Sequence, residues 1–574
     1  MKYFMSSSAR ASTTFSDVFA RLECELNQFQ SAIQTPKARA AALATVDKDI
    51  LSILTRRNTL VPISILPAEV LSRIFLFAAF NSSDDTMPKL RSINFTHVCW
   101  HWRQVALDNS TLWKNFSDNE HKEWIVERLS RARNAPLAIE FGRPKGEDML
   151  SLFIPHISRT RELYLRYISG TRYSAIMQRI GTQKAPTLKR LELLVSTRPP
   201  IQHLAGNSFF NGPLPELRIF CVQQILFPWS LFPRGRLTRL EVSLFEGPEV
   251  SPYDDLNQLI DLLVNCPTLE VLTLHDCLPV TVSEFSGRRT VHLPRLSRLC
   301  LCGPSSRVTN LFKMLKLSSL TTLDLKCLNA ETHHDHLILP VLSAHFNSPT
   351  PIEFRSFEIT LNDTISTIDM IASTSLPTSP ILHAHDTHAE LNLLLSFLRT
   401  RDRDDAMVTN IRRACEVLPF SKLEFLSICL ETPITTRPVD WGEMFRPCTE
   451  VTTVQLYDKG TTSLLQALIP PQRSHGTGRE RRLGDDGSGT RSSVSAPVLI
   501  FPKLTFLLLE NLNYKRVVPD SGVLFNLLLG AVKRRKEMEM PLTTLVINNS
   551  SLSTEEAGKL EKVVPVFRRG RGRW

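Results

Sequence analysis

Apolar side chains recur along this chain in two rhythms. Over the first sixty residues the step alternates between four and three: Phe15, Phe19, Leu22, Leu26, Phe29 and Ile33 form one stripe, Thr35-Pro36 breaks it, and Leu43, Val46, Ile50 and Ile53 resume it. That heptad spacing predicts two helices folded back as an antiparallel hairpin over residues 1–61. Such a seam serves either as a brace for the neighbouring helices or for self-association. Residues 62–116 then carry more aliphatic and aromatic side chains than a unit of that size can cover by itself. Pro67 has the fixed φ of a first helical residue, and Val70, Leu71, Ile74, Phe75 and Ala78 follow on one helical stripe. The polar run NSSDDTMP ends that helix. A second is expected from Asn94 or Thr96, with Val98, Trp102, Val105 and Ala106 as its apolar face and Asn109-Ser110 as its stop. Leu112 and Trp113 follow on a third, very short turn. Glu123 to Arg133 reads as a helix and Pro136 to Phe141 as a short strand.

The second rhythm is a repeat. TRELYL, LKRLEL, LRIFCV, LTRLEV, LEVLTL, LSRLCL and LTTLDL begin at Thr160, Leu188, Leu217, Leu237, Leu269, Leu296 and Leu320, at intervals of 28, 29, 20, 32, 27 and 24 residues. The pattern returns at Phe354, Leu423, Val451, Leu504 and Leu542. In L-x-x-L-x-L the last two apolar side chains share one face of a strand, and the first caps the turn before it. Between strands, segments such as 255–265 space Leu256, Leu259, Ile260 and Leu263 as a helix does. Periods in the twenties built of helix and strand predict a solenoid of stacked units with a parallel sheet, each unit covered by its neighbours. The repeat is hard to follow between Leu361 and Met407, where an insertion or two poorly matched units are expected. Residues 470–497 have hardly any large apolar residue and are expected as a disordered insertion. FRRGRGRW reads as a basic tail.

Two families resemble these patterns. Ile65-Leu66-Pro67-Ala68-Glu69-Val70-Leu71, Val98-Cys99-Trp100-His101-Trp102-Arg103 and Leu112-Trp113 stand in the order of the F-box, the motif by which substrate receptors dock onto the small adaptor of cullin-RING ubiquitin ligases. The longer spacer over residues 81–93 is similar to that of many fungal F-box proteins. From Thr160 onward the chain resembles leucine-rich repeats of degenerate kind. Most members place Asn or Cys three residues after the last consensus Leu, and only Cys277 clearly does so here. The resemblance implies an α+β chain overall: an N-terminal helical hairpin, a three-helix F-box-like domain over 62–116, and an irregular α/β leucine-rich-repeat solenoid with a parallel sheet over 117–565, before a basic tail over 566–574. It also implies an adaptor-binding set of Leu66, Pro67, Val70, Leu71, Ile74, Phe75, Val98, Trp102, Leu112 and Trp113. Of these, Trp102 and Trp113, with Val105, could equally be internal packing.

Composition narrows the rest. With 574 residues the chain is too long for one globule, and 42% hydrophobic content lets it fold. Its apolar stretches are interrupted well before the length a membrane span needs, and no secretory signal or lipid-attachment ending is visible. A soluble protein of the cytoplasm or nucleus is expected, with no membrane partner. The eleven cysteines are scattered singly through apolar segments, as buried side chains are, and Cys300-Leu301-Cys302 has the wrong spacing for a zinc knuckle. Net charge is +11. From 471 to the end there are eighteen Lys and Arg against ten Asp and Glu, which leaves the body close to neutral and argues against nucleic acid as the main partner. Lys533-Arg534-Arg535-Lys536 reads either as a nuclear address or as cations closing a helix. His333-His334-x-His336 and His383-x-His385-x-x-His388 match no structural zinc spacing. No G-x-S-x-G, H-E-x-x-H, P-loop or G-x-G-x-x-G occurs.

The expected function is therefore non-enzymatic and free of cofactors and metals. The chain would be a ligase substrate receptor that holds the adaptor, and through it a cullin, by the F-box-like helices and a substrate protein by the repeats. Two alternatives remain: a repeat scaffold attached to no ligase, and a nucleic-acid-associated factor acting through its basic end.

Overall fold

A computed structural model describes residues 16–28, 36–80, 94–142, 149–196, 202–203, 209–231, 236–245, 253, 256–279, 290–318, 321–327, 338–347, 352–362, 367–377, 393–398, 404–430, 440–457, 462–468, 500–512, 517–518, 522–548 and 552–570. Over these the chain is a mixed α/β protein with a large, mostly parallel sheet. It divides into two compact units, residues 1–191 with 209–214 and residues 192–208 with 215–574. No helix among the described residues is long and apolar enough to cross a membrane. The spacer over 81–93, both histidine clusters and the insertion over 470–497 lie outside the described residues.

In the first unit, helix α1 (16–28) is tied to α2 (Pro36–Thr59) by Arg21, whose guanidinium lies 3.6 Å from Asp49. A 3-10 turn, Pro62–Ile65, leads to α3 (Ala68–Phe80). Pro67 caps α3 from just outside, its carbonyl accepting from the Leu71 amide at 3.1 Å. Helix α4 (Trp100–Asp108) starts later than the expected Asn94 or Thr96, because the Cys99 thiol caps it by accepting from the Trp102 amide. A 3-10 turn, Ser110–Trp113, follows, capped by the Asn109 side chain. Strands β1 (Asn115–Ser117), β2 (Leu137–Phe141) and β3 (Thr160–Ile168) pair in parallel, with α5 (Lys122–Ala132) between the first two and α6 (Gly170–Ile180) after the third. The buried Arg128 of α5 bonds Glu120 and the Asn115 carbonyl through its two terminal nitrogens and lies over the Phe116 ring, so its charge is paired.

The chain passes between units along β4 (Arg190–Val195). The second unit holds β5 (Ile219–Gln223), β6 (Arg239–Ser243), β7 (Val271–His275), β8 (Arg298–Gly303), β9 (Thr322–Cys327), β10 (Ser356–Asn362), β11 (Thr367–Ser373), β12 (Leu393–Leu398), β13 (Phe425–Cys429), β14 (Thr453–Tyr457), β15 (Phe506–Glu510), β16 (Thr544–Asn548) and β17 (Val566–Gly570). Every L-x-x-L-x-L segment named from the sequence becomes one of these strands, β3 or β4. Helices α7 (Leu256–Val264), α8 (Ser305–Met314), α9 (Ile338–Phe346), α10 (Asp404–Val417), α11 (Trp441–Met444), α12 (Thr462–Ala467), α13 (Leu524–Glu537) and α14 (Thr554–Glu561) are interspersed among them, and from α8 to α14 each packs on the next.

Register is strict because the buried face has period two. Phe220, Leu240, Leu272, Leu299, Leu323 and Leu393 stand opposite one another on successive strands, as do Val222, Val242, Leu274, Leu301, Leu325 and Leu395. All are buried. The sheet departs from all-parallel pairing in the region where the repeat is hard to follow. There β9 pairs with β12, and the neighbours beyond are β11, β10 and then β13, the β12–β11 and β11–β10 pairs being antiparallel. The chain thus skips two places and fills them by a meander, keeping the ladder intact: Leu395, Met370, Ile359 and Ile428 stay in line.

Turns are regular where few consensus Asn or Cys residues exist. The hydroxyls of Thr238, Ser297, Thr452, Thr505 and Thr543 each donate to the carbonyl of Arg218, Glu270, Glu424, Thr452 and Thr505 respectively, one strand back. Gln224, Asp276 and Asn511 follow their strands with φ of 62, 51 and 60°. Each donates its amide to a carbonyl in the last two residues of the following strand, that of Ser243, Cys302 or Asn548. The Cys277 thiol donates to the Val242 carbonyl at 3.6 Å. At the far end the expectation needs correction: Val566–Gly570, expected as part of a basic tail, pairs in parallel with β16. The basic run 533–536 is also not a free cluster. Arg535 is buried, with its guanidinium donating to the Ile500 and Phe501 carbonyls at 3.3 and 2.7 Å, and burial pulls its pKa down to about 10.

Candidate protein-docking surfaces

Helix α3, AEVLSRIFLFAAF, is apolar on more than one face. Its stripe at four-residue steps, Leu71, Phe75 and Ala79, is buried. Phe75 stacks on Phe95 with centroids 4.5 Å apart and leans on Trp102 at 4.9 Å. Val70, Ile74 and Phe77, at steps of four and three, form the adjacent stripe, and it faces outward: their exposures are 40%, 39% and 69%. The turns on either side add to this surface. Ile65 is 74% exposed before α3, and Val98 and Trp100 are 55% and 68% exposed at the start of α4.

The expected adaptor-binding residues therefore separate. Pro67, Val70, Ile74 and Val98 are exposed and Leu66 is half-buried. Leu71, Phe75, Leu112 and Trp113 are instead buried and do not face outward. Their volume fills the interior among α3, α4 and the short turn. Trp113 donates from Nε1 to the Ala106 carbonyl at 2.9 Å, meets Trp124 edge-on and lies under Arg131, while half-buried Trp102 leans on Phe75. Ile65, Phe77 and Trp100 were absent from the expected set. Phe77 was findable, because it completes the i, i+4, i+7 series begun by Val70 and Ile74.

The sheet of the second unit offers a second surface. Residues alternating with the buried ladder bring together Glu241, Thr273, Cys300 and Asp324 on four neighbouring strands. The His275 ring lies 3.3 Å from the Cys300 thiol, and that thiol donates to Asp324 at 3.3 Å. Burial raises the Cys300 pKa to about 12 and lowers that of His275, which favours the neutral form of each. Among the described residues no group of three His, Cys, Asp or Glu side chains is placed to hold a metal. Further along the same face, Tyr457, Leu508 and Val546 pack together, and the Tyr457 hydroxyl donates to Gln455 at 2.8 Å. Glu358 opposes Ser427 and Ile371 there, and burial alone lifts its pKa to about 7.

No protein-family model matches the chain, and no curated protein is similar to it. What the two surfaces offer chemically is contact: one exposed apolar helix face, and one mixed polar and apolar sheet face.

Proposed function

We propose that the chain is the substrate-recognition subunit of a cullin-RING ubiquitin ligase. Its F-box-like helices dock on the ligase adaptor, and its strand repeats, of leucine-rich type, bind a substrate protein. The observation that carries the reading is the second apolar stripe of α3. Val70, Ile74 and Phe77 stay exposed beside a stripe that satisfies the helix's own packing, and they lie in the segment whose sequence order resembles the F-box. A helix with one apolar stripe needs only its own fold. A second, outward stripe flanked by exposed Ile65 and Trp100 is the kind of surface that another protein covers. The polar and apolar sheet face, read by side chains at alternate positions of many strands, suits a folded substrate rather than a small molecule. Function then rests on effective concentration: the receptor holds its substrate beside a charged ubiquitin carrier, and the chemistry belongs to other subunits.

The test is retention of the adaptor by the full chain. Wild type should co-purify with it, and Val70→Asp/Ile74→Asp should lose at least about 100-fold in affinity, since two exposed apolar contacts become charges in an interface core. The variant's thermal unfolding should be unchanged, both side chains being half-exposed already. A wild-type chain that retains no adaptor would leave a repeat scaffold attached to no ligase.

A further inference from the structure

The N-terminal hairpin has two seams and uses one. Along α2 the side chains of Ala42, Val46, Asp49 and Ile53 are half-buried, while Leu43, Ile50 and Leu54 are exposed. The second set is the first moved forward by one residue, with Asp47 at its remaining position. One residue turns a helix by about 100°, so α2 carries two stripes roughly a quarter-turn apart. The same displacement occurs on α1. Val18, Leu22 and Glu25 are half-buried or buried, and Phe19, Glu23 and Leu26, each one residue on, are exposed. A helix in a two-helix hairpin needs one apolar stripe; a helix in a four-helix bundle packs on two neighbours and needs two. Although α2 runs for 24 residues, none of them is buried.

We infer that the hairpin pairs with the hairpin of a second copy of this chain, completing a four-helix bundle. Charge selects the occupant. Residues 16–28 carry Arg21 against Asp17, Glu23 and Glu25, a net −2, whereas residues 36–59 carry five Lys and Arg against Asp47 and Asp49, a net +3. A surface with one acidic and one basic helix complements itself: a two-fold axis sets α1 of each copy beside α2 of the other, and both contacts are attractive. The exposed stripes also continue the spacing of the seam between α1 and α2, which already carries the Arg21–Asp49 pair. This inference stands apart from the adaptor reading, since it involves neither α3 nor the sheet. Its consequence for such a receptor would be two binding faces per assembly, and so avidity for substrates that present two sites.

The test is the solution mass of the full chain. At tens of micromolar, light scattering should give twice the 65.0 kDa of one copy. Leu43→Gln/Ile50→Gln/Leu54→Gln should fall to the mass of one copy with helical circular dichroism retained, because Gln favours helix about as well as the residues it replaces. Phe19→Gln/Leu26→Gln, on the other helix, should do the same. Ser52→Gln, about half a turn from the second stripe, should leave the double mass. If one stripe variant loses helicity, the other and the wild-type mass decide. A wild type at single mass, or a folded stripe variant that keeps the double mass, overturns the proposal.

Discussion

At the scale of single residues, burial decides what a side chain can do, and two cases point in opposite directions. Trp113 fits the apolar pattern of the docking segment, yet it is fully buried, with its indole nitrogen bonded to the Ala106 carbonyl. Trp113→Ala should cost about 3 to 5 kcal/mol by leaving a cavity and an unpaired carbonyl. Chemical denaturation would show this, and a loss near zero would place the ring at the surface instead. Glu358 is polar and sits on the sheet face, but its register neighbours Ser427 and Ile371 bring no cation to it. Burial therefore holds its carboxyl up at about 7 against an ordinary 4.5. A carboxyl raised on folding stabilises the protonated protein: that contribution is complete below pH 4.5, shrinks as pH rises, and is gone above about 7. The full swing is up to about 3 kcal/mol. Melting temperature should fall between pH 5 and 8 more steeply for wild type than for Glu358→Gln, and parallel profiles would show that Glu358 is solvated.

At the scale of elements, the sequence was legible where one periodicity acted alone. The strand segments were found because two side chains spaced by two must both enter the interior, as Leu323 and Leu325 do. The helices α1, α2 and α5 follow from their helical spacing. Legibility failed where two signals overlapped. Helix α3 has apolar residues on adjacent stripes, and spacing cannot say which stripe turns inward; the packing of Phe75 against Phe95 and Trp102 settles that. The start of α4 is not legible in the sequence, because Cys99 is an unusual cap and Thr96, a better one by type, is buried upstream. The meander of β10 to β12 lies where an insertion or two poorly matched units are expected, but its antiparallel pairing is not legible, because direction of pairing leaves no trace in the alternation of a strand. The threonine ladder was present in plain sight, as the residue after the first Leu in LTRLEV and LTTLVI. The expected signal was an Asn or Cys after the strand, not a hydroxyl before it.

At the scale of the whole molecule, the second unit joins its strands only to their neighbours, so its stability should behave as a sum of local terms rather than as one block. Leu325 and Ile547 test this because both are wholly buried and aliphatic but differ in position. Leu325 lies between Leu301 and Leu395, inside the run of ladder residues. Ile547 lies between Leu509 and Arg569, the latter on β17, none of whose residues is buried. Leu325→Ala should cost about 2 to 5 kcal/mol and raise hydrogen exchange on both sides of the cavity, from β7 through β13. Ile547→Ala removes comparable surface, but the chain can release β16, α14 and β17 without disturbing the remaining strands. Its effect on the denaturant midpoint should then be capped by the stability of that terminal segment, with faster exchange confined to β15 through β17. Equal midpoint shifts, with protection lost evenly along the sheet in both variants, would mean that the array unfolds all at once and that neighbour contacts do not set its cooperativity.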